Sequence, residues 1–107
     1  SVSYDDFSRM DIRVGTIVHA EKVPKTKKLL KLTIDTGIDQ RTVVSGIAEY
    51  FEPENIIGRQ VCLLANLEPR EIKGIVSHGM ILMAEDKDGR LEFVAPSTTV
   101  APGSSVK

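Results

Sequence analysis

A chain of 107 residues has room for one domain, spanning 1–107, with a single modest core. Its 14 Lys and Arg against 15 Asp and Glu leave a net charge of −1, which argues mildly against the basic surface common among nucleic-acid binders. No apolar run approaches the roughly 20 residues of a membrane-spanning helix, and a lone Cys62 excludes an internal disulfide and a cysteine-rich zinc site.

The neutral total hides an uneven distribution. Between Lys22 and Ile34 stand Lys22, Lys25, Lys27, Lys28 and Lys31 with no acid, whereas Asp35, Asp39, Glu49, Glu52 and Glu54 follow together. Electrostatic steering depends on such local fields more than on their sum. Asp5, Asp6, Arg9 and Asp11 interrupt the amino end before a signal peptide could form. Cys62, inside the apolar run Val61–Ala65, reads as a small buried residue in a reducing, cytoplasmic setting. The opening Ser1-Val2-Ser3 lacks an initiator Met, as would a domain cut from a larger protein or a chain whose Met was removed.

In chain order, Tyr4, Phe7 and Met10 have the spacing of a short amphipathic turn. Ile12, Val14, Thr16 and Val18 alternate with Arg13, Gly15 and Ile17, predicting a strand to about Val23. Leu30, Leu32 and Ile34 alternate with Lys31, Thr33 and Asp35 in a half-buried strand, and Asp35-Thr36-Gly37 turns it into a hairpin with Arg41–Ser45. Glu52–Gly58 has acids in a first turn and a terminal Gly, the marks of a short helical link. Further strands are expected over Arg59–Leu67, Gly79–Ala84 and Leu91–Val94, after which Pro96 and Pro102 leave little room for another helix. Three strands, a helical link and then two or more strands is the order of an all-β OB-fold. That fold is a five-stranded Greek-key barrel, here with short terminal extensions. An SH3-like barrel or a sandwich fragment would give similar spacing.

Signs of catalysis are few. Ser77 and His78 are adjacent, so on a strand they point to opposite faces, and no Gly-x-Ser-x-Gly elbow is present. His19 and His78 lack ligands at metal-binding spacing, and no phosphate-binding Gly-rich loop occurs. No enzymatic activity, metal or cofactor is expected. Binding is better supported. Lys25, Lys27, Lys28 and Lys31 border the first hairpin, on the face where an OB barrel holds its ligand. Arg41 and Ser45 lie on the return strand, and Arg70 and Lys73 in the connection after the fourth strand. Phosphate oxygens accept from cations and hydroxyls alike. With so few rings, most of them expected in the core, the surface suits the shape and backbone of a folded RNA better than stacked single-stranded bases.

Several motifs then occur in one order: Asp11-Ile12-Arg13-Val14-Gly15, Ile34-Asp35-x-Gly37, Arg41-x-Val43-Val44-Ser45-Gly46-Ile47, Asn66-Leu67-x-Pro69-Arg70 and Gly74-x-x-Ser77-x-Gly79-Met80-x-Leu82-x-Ala84. With them the whole chain resembles the tRNA-binding domain found at the carboxyl end of many bacterial methionyl-tRNA synthetases. Free-standing dimeric tRNA-binding proteins, an export-related chaperone and cytokine-like synthetase cofactors carry related domains. The resemblance implies a homodimeric, non-catalytic OB module that recognises tRNA by shape and raises tRNA affinity for aminoacylation by a parent methionine–tRNA ligase, with no membrane or DNA partner. The contact residues it implies are Asn66, Arg70, Lys73, Ser77 and Met80, with Lys31, Arg41 and Ser45 beside them. Ser77 would offer its hydroxyl to phosphate or ribose, unless it caps the strand entrance; Met80 would be an apolar contact, unless it fills the barrel. Two departures shift the expected footprint. Val23-Pro24-Lys25-Thr26-Lys27 replaces the usual His-Pro-x-Ala-Asp, and Glu68 stands where many relatives have Lys. The alternative is a chaperone-like dimeric protein-interaction module with little RNA binding, using Met80, Met83, Ile72 and Ile75.

Overall fold

A computed structural model describes residues 1–107. The chain opens with α1 (Tyr4–Ser8), a five-residue helix whose N-cap Ser3 accepts a hydrogen bond from the Asp6 amide, with no residue buried. The long strand β1 (Ile12–Lys22) can serve two neighbours. Its second half pairs with β2 (Leu30–Asp35) through Thr16↔Asp35 to Lys22↔Leu30. β3 (Gln40–Ser45) pairs with β2 from Leu30↔Ser45 to Asp35↔Gln40. A 3₁₀ turn at Pro53–Asn55 leads to β4 (Gln60–Leu64), which returns to pair with the first half of β1. β1 shifts register between Ile17 and His19, the irregularity that bends a strand from one neighbour to the next.

The next segment departs from the expected connection. The alternating charges after Pro69 form a hairpin of β5 (Arg70–Ile72) and β6 (Ile75–Ser77), and β7 (Met80–Ile81) then pairs with β4. The single strand expected over Gly79–Ala84 is broken: β8 (Met83–Glu85) leaves the sheet to pair with β9 (Leu91–Phe93). Leu82 at the break donates its amide to Cys62 and accepts from Val94. β4 also ends earlier than expected: the Ala65 amide still donates to the Asp11 carbonyl, but the Asp11 amide turns to the Asn66 side chain and the Ala65 carbonyl accepts from Arg41.

The main sheet has the order β3-β2-β1-β4-β7, the curled sheet of an OB-like barrel. Its two edges meet at Ser77 and His78. The buried Ser77 hydroxyl accepts from the Val44 amide at 3.0 Å, and the His78 amide donates to the Thr42 carbonyl at 2.8 Å. Inside lie Ile17, Leu30, Leu32, Ile34, Val43, Val61, Leu63 and Ile81, with Ile56 of the helical link and Phe93 completing the core. Phe51 stacks on Phe93 at 4.9 Å and the Arg59 guanidinium lies 4.5 Å from the same ring. The expectation that most rings are buried is corrected: Tyr4, Phe7 and Tyr50 are exposed. The tail straps the open side of β1, with a Ser105–Arg13 bridge and a Val106 amide donating to the Ile12 carbonyl.

Ser77→Ala should lower the free energy of unfolding by about 1–3 kcal/mol, the range for leaving a buried donor, here the Val44 amide, without a partner. Chemical denaturation measures it; a variant as stable as the unsubstituted chain would show that this bond does not hold the seam.

Candidate nucleic-acid interface

Half of the cations on this protein have a partner within the fold. Of its 14 Lys and Arg, Arg9, Arg13, Lys22, Lys31, Arg41 and Arg90 each have a carboxylate within 4.0 Å. Arg59 is stacked on Phe93. Lys25, Lys27, Lys28, Arg70, Lys73, Lys87 and Lys107 remain free, and all but the last two stand on the β1–β2 loop or the β5–β6 hairpin. The register Leu30↔Ser45 sets the end of the lysine loop beside Ser45, and Ser45 in turn lines a cleft together with Arg70. The end of the lysine loop and the base of the β5–β6 hairpin thus both border Ser45 at one end of β3.

Backbone geometry marks two of these cations. Lys25 (φ 64°) and Lys73 (φ 51°) are the non-glycine residues with positive φ. The Thr26 amide and hydroxyl both bond the Val23 carbonyl, at 3.2 and 2.8 Å, closing a turn with Pro24 second and Lys25 third. A type II turn puts positive φ at that third place and favours Gly or Asn there. Lys73 with Gly74 (φ 80°) closes the two-residue loop between Ile72 and Ile75, where Asn-Gly or Asp-Gly would be usual. Both loop tips thus carry a lysine in a conformation that costs an ordinary side chain about 1–2 kcal/mol. Such outliers point from geometry toward function.

The cleft, of about 330 Å³, lies between the end of β3 and the segment 67–81, lined by Val44, Ser45, Gly46, Leu67, Glu68, Arg70, Ile72, Ser77, Gly79, Met80 and Ile81. Met80 is 48% exposed, so it stands at the cleft and not in the barrel core. Gly79 (φ 115°) makes the close approach possible: a Cβ there would sit 2.9 Å from the Leu64 carbonyl oxygen. Leu67 and Glu68 escaped the sequence reading as site residues. The Asn-Leu-x-Pro block contained them, but nothing local shows that they face Ser45.

Other candidates are occupied within the fold. The Ser77 hydroxyl, expected to face a ligand, is buried in the barrel seam, as its strand-cap alternative has it; it also lies 3.5 Å from the Gly79 carbonyl. Asn66 is a tie: its Oδ1 accepts from the Asp11 amide at 2.9 Å and its Nδ2 donates to the Arg9 carbonyl at 2.7 Å. Arg41 grips Asp39 with Nε and Nη2 and donates Nη1 to the Ala65 carbonyl at 2.7 Å. Lys31 is half-buried, its Nζ 3.7 Å from Glu21. These four do not present free polar groups beside the five uncommitted cations.

Arg41 belongs to an ionic cluster at the opposite end of β3 from Ser45. Arg13 clamps Asp11 through Nε and Nη2 at 2.8 and 2.9 Å. Its hydrogen bonds hold the Asp11 carboxyl below the usual range, and Asp11 in turn raises Arg13. Asp39 is lowered by its bonds from Arg41 and then from the buried Thr36 hydroxyl. Burial pushes the Cys62 thiol up, away from the reactive thiolate. No group of three or more His, Cys, Asp or Glu is placed to hold a metal ion.

Known proteins share this sequence and this fold. The family model of the tRNA binding domain matches residues 12–105. A methionine–tRNA ligase of Cytophaga hutchinsonii is 74% identical over 106 residues, covering 99% of this chain and 15% of the ligase. That of Bacteroides fragilis is 55% identical over 107 residues, 100% of the chain and 16% of the ligase. The chain thus spans a small part of the relatives it matches. Among solved structures, a MetRS-related protein from Pyrococcus horikoshii superposes with TM-score 0.93 at 36% identity, covering 100% of this chain and 98% of that one. The chaperone CsaA of Bacillus anthracis gives TM-score 0.90 at 26% identity, covering 100% and 99%.

The lowered carboxyls set the response to acid. A carboxylate whose folded pKa is depressed adds stability that is present above its unfolded value, about 4, and is lost as pH falls through the lowered folded value. Stability should therefore decline below about pH 4, and Arg13→Ala should flatten that limb by releasing Asp11. Melting curves across the acid range measure the slope; an unchanged limb in the variant would remove Asp11 as a source.

Proposed function

This chain belongs to the tRNA binding domain family, and on that premise we propose that it is a non-catalytic module of a methionyl-tRNA synthetase that binds tRNA by shape, dimerises, and raises the enzyme's affinity for tRNA. The observation that carries the reading is that Lys25, Lys27, Lys28, Arg70 and Lys73, all free of internal partners, stand on the two segments whose ends border Ser45. Cations at two loop tips suit phosphates on a folded backbone. No aromatic ring lines the cleft, so a run of stacked single-stranded bases has no platform there. An appended module of this kind needs only modest affinity, because tethering raises the local tRNA concentration at the catalytic body.

Exposed Leu67, Val76 and Met80, together with the likeness to CsaA chaperones, favour a second reading as a protein-interaction module. Purified folded tRNA should bind more tightly than unstructured RNA of equal length. Replacing Lys27 and Lys28 together by Ala should reduce the salt slope of tRNA binding by somewhat under two units, as for two lost phosphate contacts. Equal affinity for the two RNAs would sink recognition by shape, and an unchanged slope would return these lysines to plain solvated surface.

Dimerisation rests on the amino end. α1 buries no residue, and Tyr4 (80%), Phe7 (41%) and Met10 (46%) expose apolar surface that a lone barrel leaves wet. Sedimentation at micromolar concentration should report twice the 11.7 kDa chain mass; a monomer throughout that range would remove the dimer.

A further inference from the structure

Resting on the tRNA reading, we propose that the cleft between the end of β3 and segment 67–81 captures one unstacked guanine of the bound RNA, and that Glu68 reads its Watson–Crick edge. At about 330 Å³ the cleft is at the small end of ligand pockets. An RNA helix cannot enter, but one planar base can. Leu67, Ile72 and Met80 give it apolar walls, and the polarisable Met80 thioether is suited to lie against a base face where no ring is present.

The charged lining selects the base. Glu68 and Arg70 both line the cleft, and neither takes part in any internal ion pair. A free carboxylate repels phosphate and accepts hydrogen bonds, so the part of an RNA that suits it is one that donates. Ionised Glu accepts only, through two oxygens. Guanine alone presents two adjacent donors, N1–H and N2–H₂, on its Watson–Crick edge. Adenine and cytosine place an acceptor beside the amino group, and uracil flanks its single N–H with carbonyls; each sets a lone pair against the carboxylate. Arg70 is then free to meet the phosphate of the same nucleotide, and Lys73 that of a neighbour. Unpaired bases read at this edge are the usual route to sequence preference in RNA recognition.

The test uses stem-loop RNAs identical except for one unpaired loop nucleotide, guanosine, inosine or uridine, each competed against folded tRNA. Inosine keeps N1–H and lacks the 2-amino group. The unsubstituted protein should prefer guanosine to uridine by about tenfold, the order expected of a bidentate pair, with inosine between them. Glu68→Gln should bring the three within about twofold of one another, because its amide replaces one acceptor with a donor. Glu68 is exposed with no internal bond, and a matching melting curve checks that the variant is folded. Equal binding of the three loops by the unsubstituted protein, or a guanosine preference kept in Glu68→Gln, overturns the base site while leaving tRNA binding in place. Failure to bind tRNA at all overturns both readings.

Discussion

Closure of the barrel at Ser77 and His78 is the contact on which the rest depends. A five-stranded sheet has two open edges, and an unpaired edge invites association with other chains. Here one edge, β3, is met by a serine hydroxyl and a main-chain amide that bond Val44 and Thr42. Because the closure is made by the last residue of β6 and the one that follows it, it also fixes the hairpin relative to the end of β3. The cleft lined by Ser45, Arg70 and Met80 exists only because that seam is shut.

The other end of β3 is held by a different chemistry. Asp11 with Arg13, Asp39 with Arg41, and the amide of Asn66 tie the start of β1, the start of β3 and the end of β4 together. Many of the residues that make the sequence recognisable, Asp11, Arg13, Arg41, Asn66, Ser77 and Gly79, are thus explained by the fold they hold. Apart from Arg70, the free cations sit instead on residues outside or between those motifs. A motif that identifies a fold need not identify the surface that fold presents.

The barrel was legible because its strands obey period two on buried faces: Leu30, Leu32 and Ile34 are fully buried against outward Lys31, Thr33 and Asp35. The hairpin at 70–77 was not, since it stands off the core with few buried positions to impose a period. Ser77 looked like a surface residue because its hydrogen-bond partner is 33 residues away in sequence, a relation no local pattern carries. Lysines of the β1–β2 loop were legible as a run, whereas the cleft, assembled from three segments, required the fold. Met80, ambiguous in sequence between core and contact, faces outward because in β7 it is its neighbour Ile81 that points into the barrel.

Lys25 and Lys73 occupy backbone positions that glycine or asparagine would fill with less strain. Selection for thermal tolerance alone would drift toward those residues at both tips, tightening the loops while discharging the face they border. Durability and charge therefore pull these two positions in opposite directions, and a chain hardened for storage would be the wrong one from which to judge what its surface does.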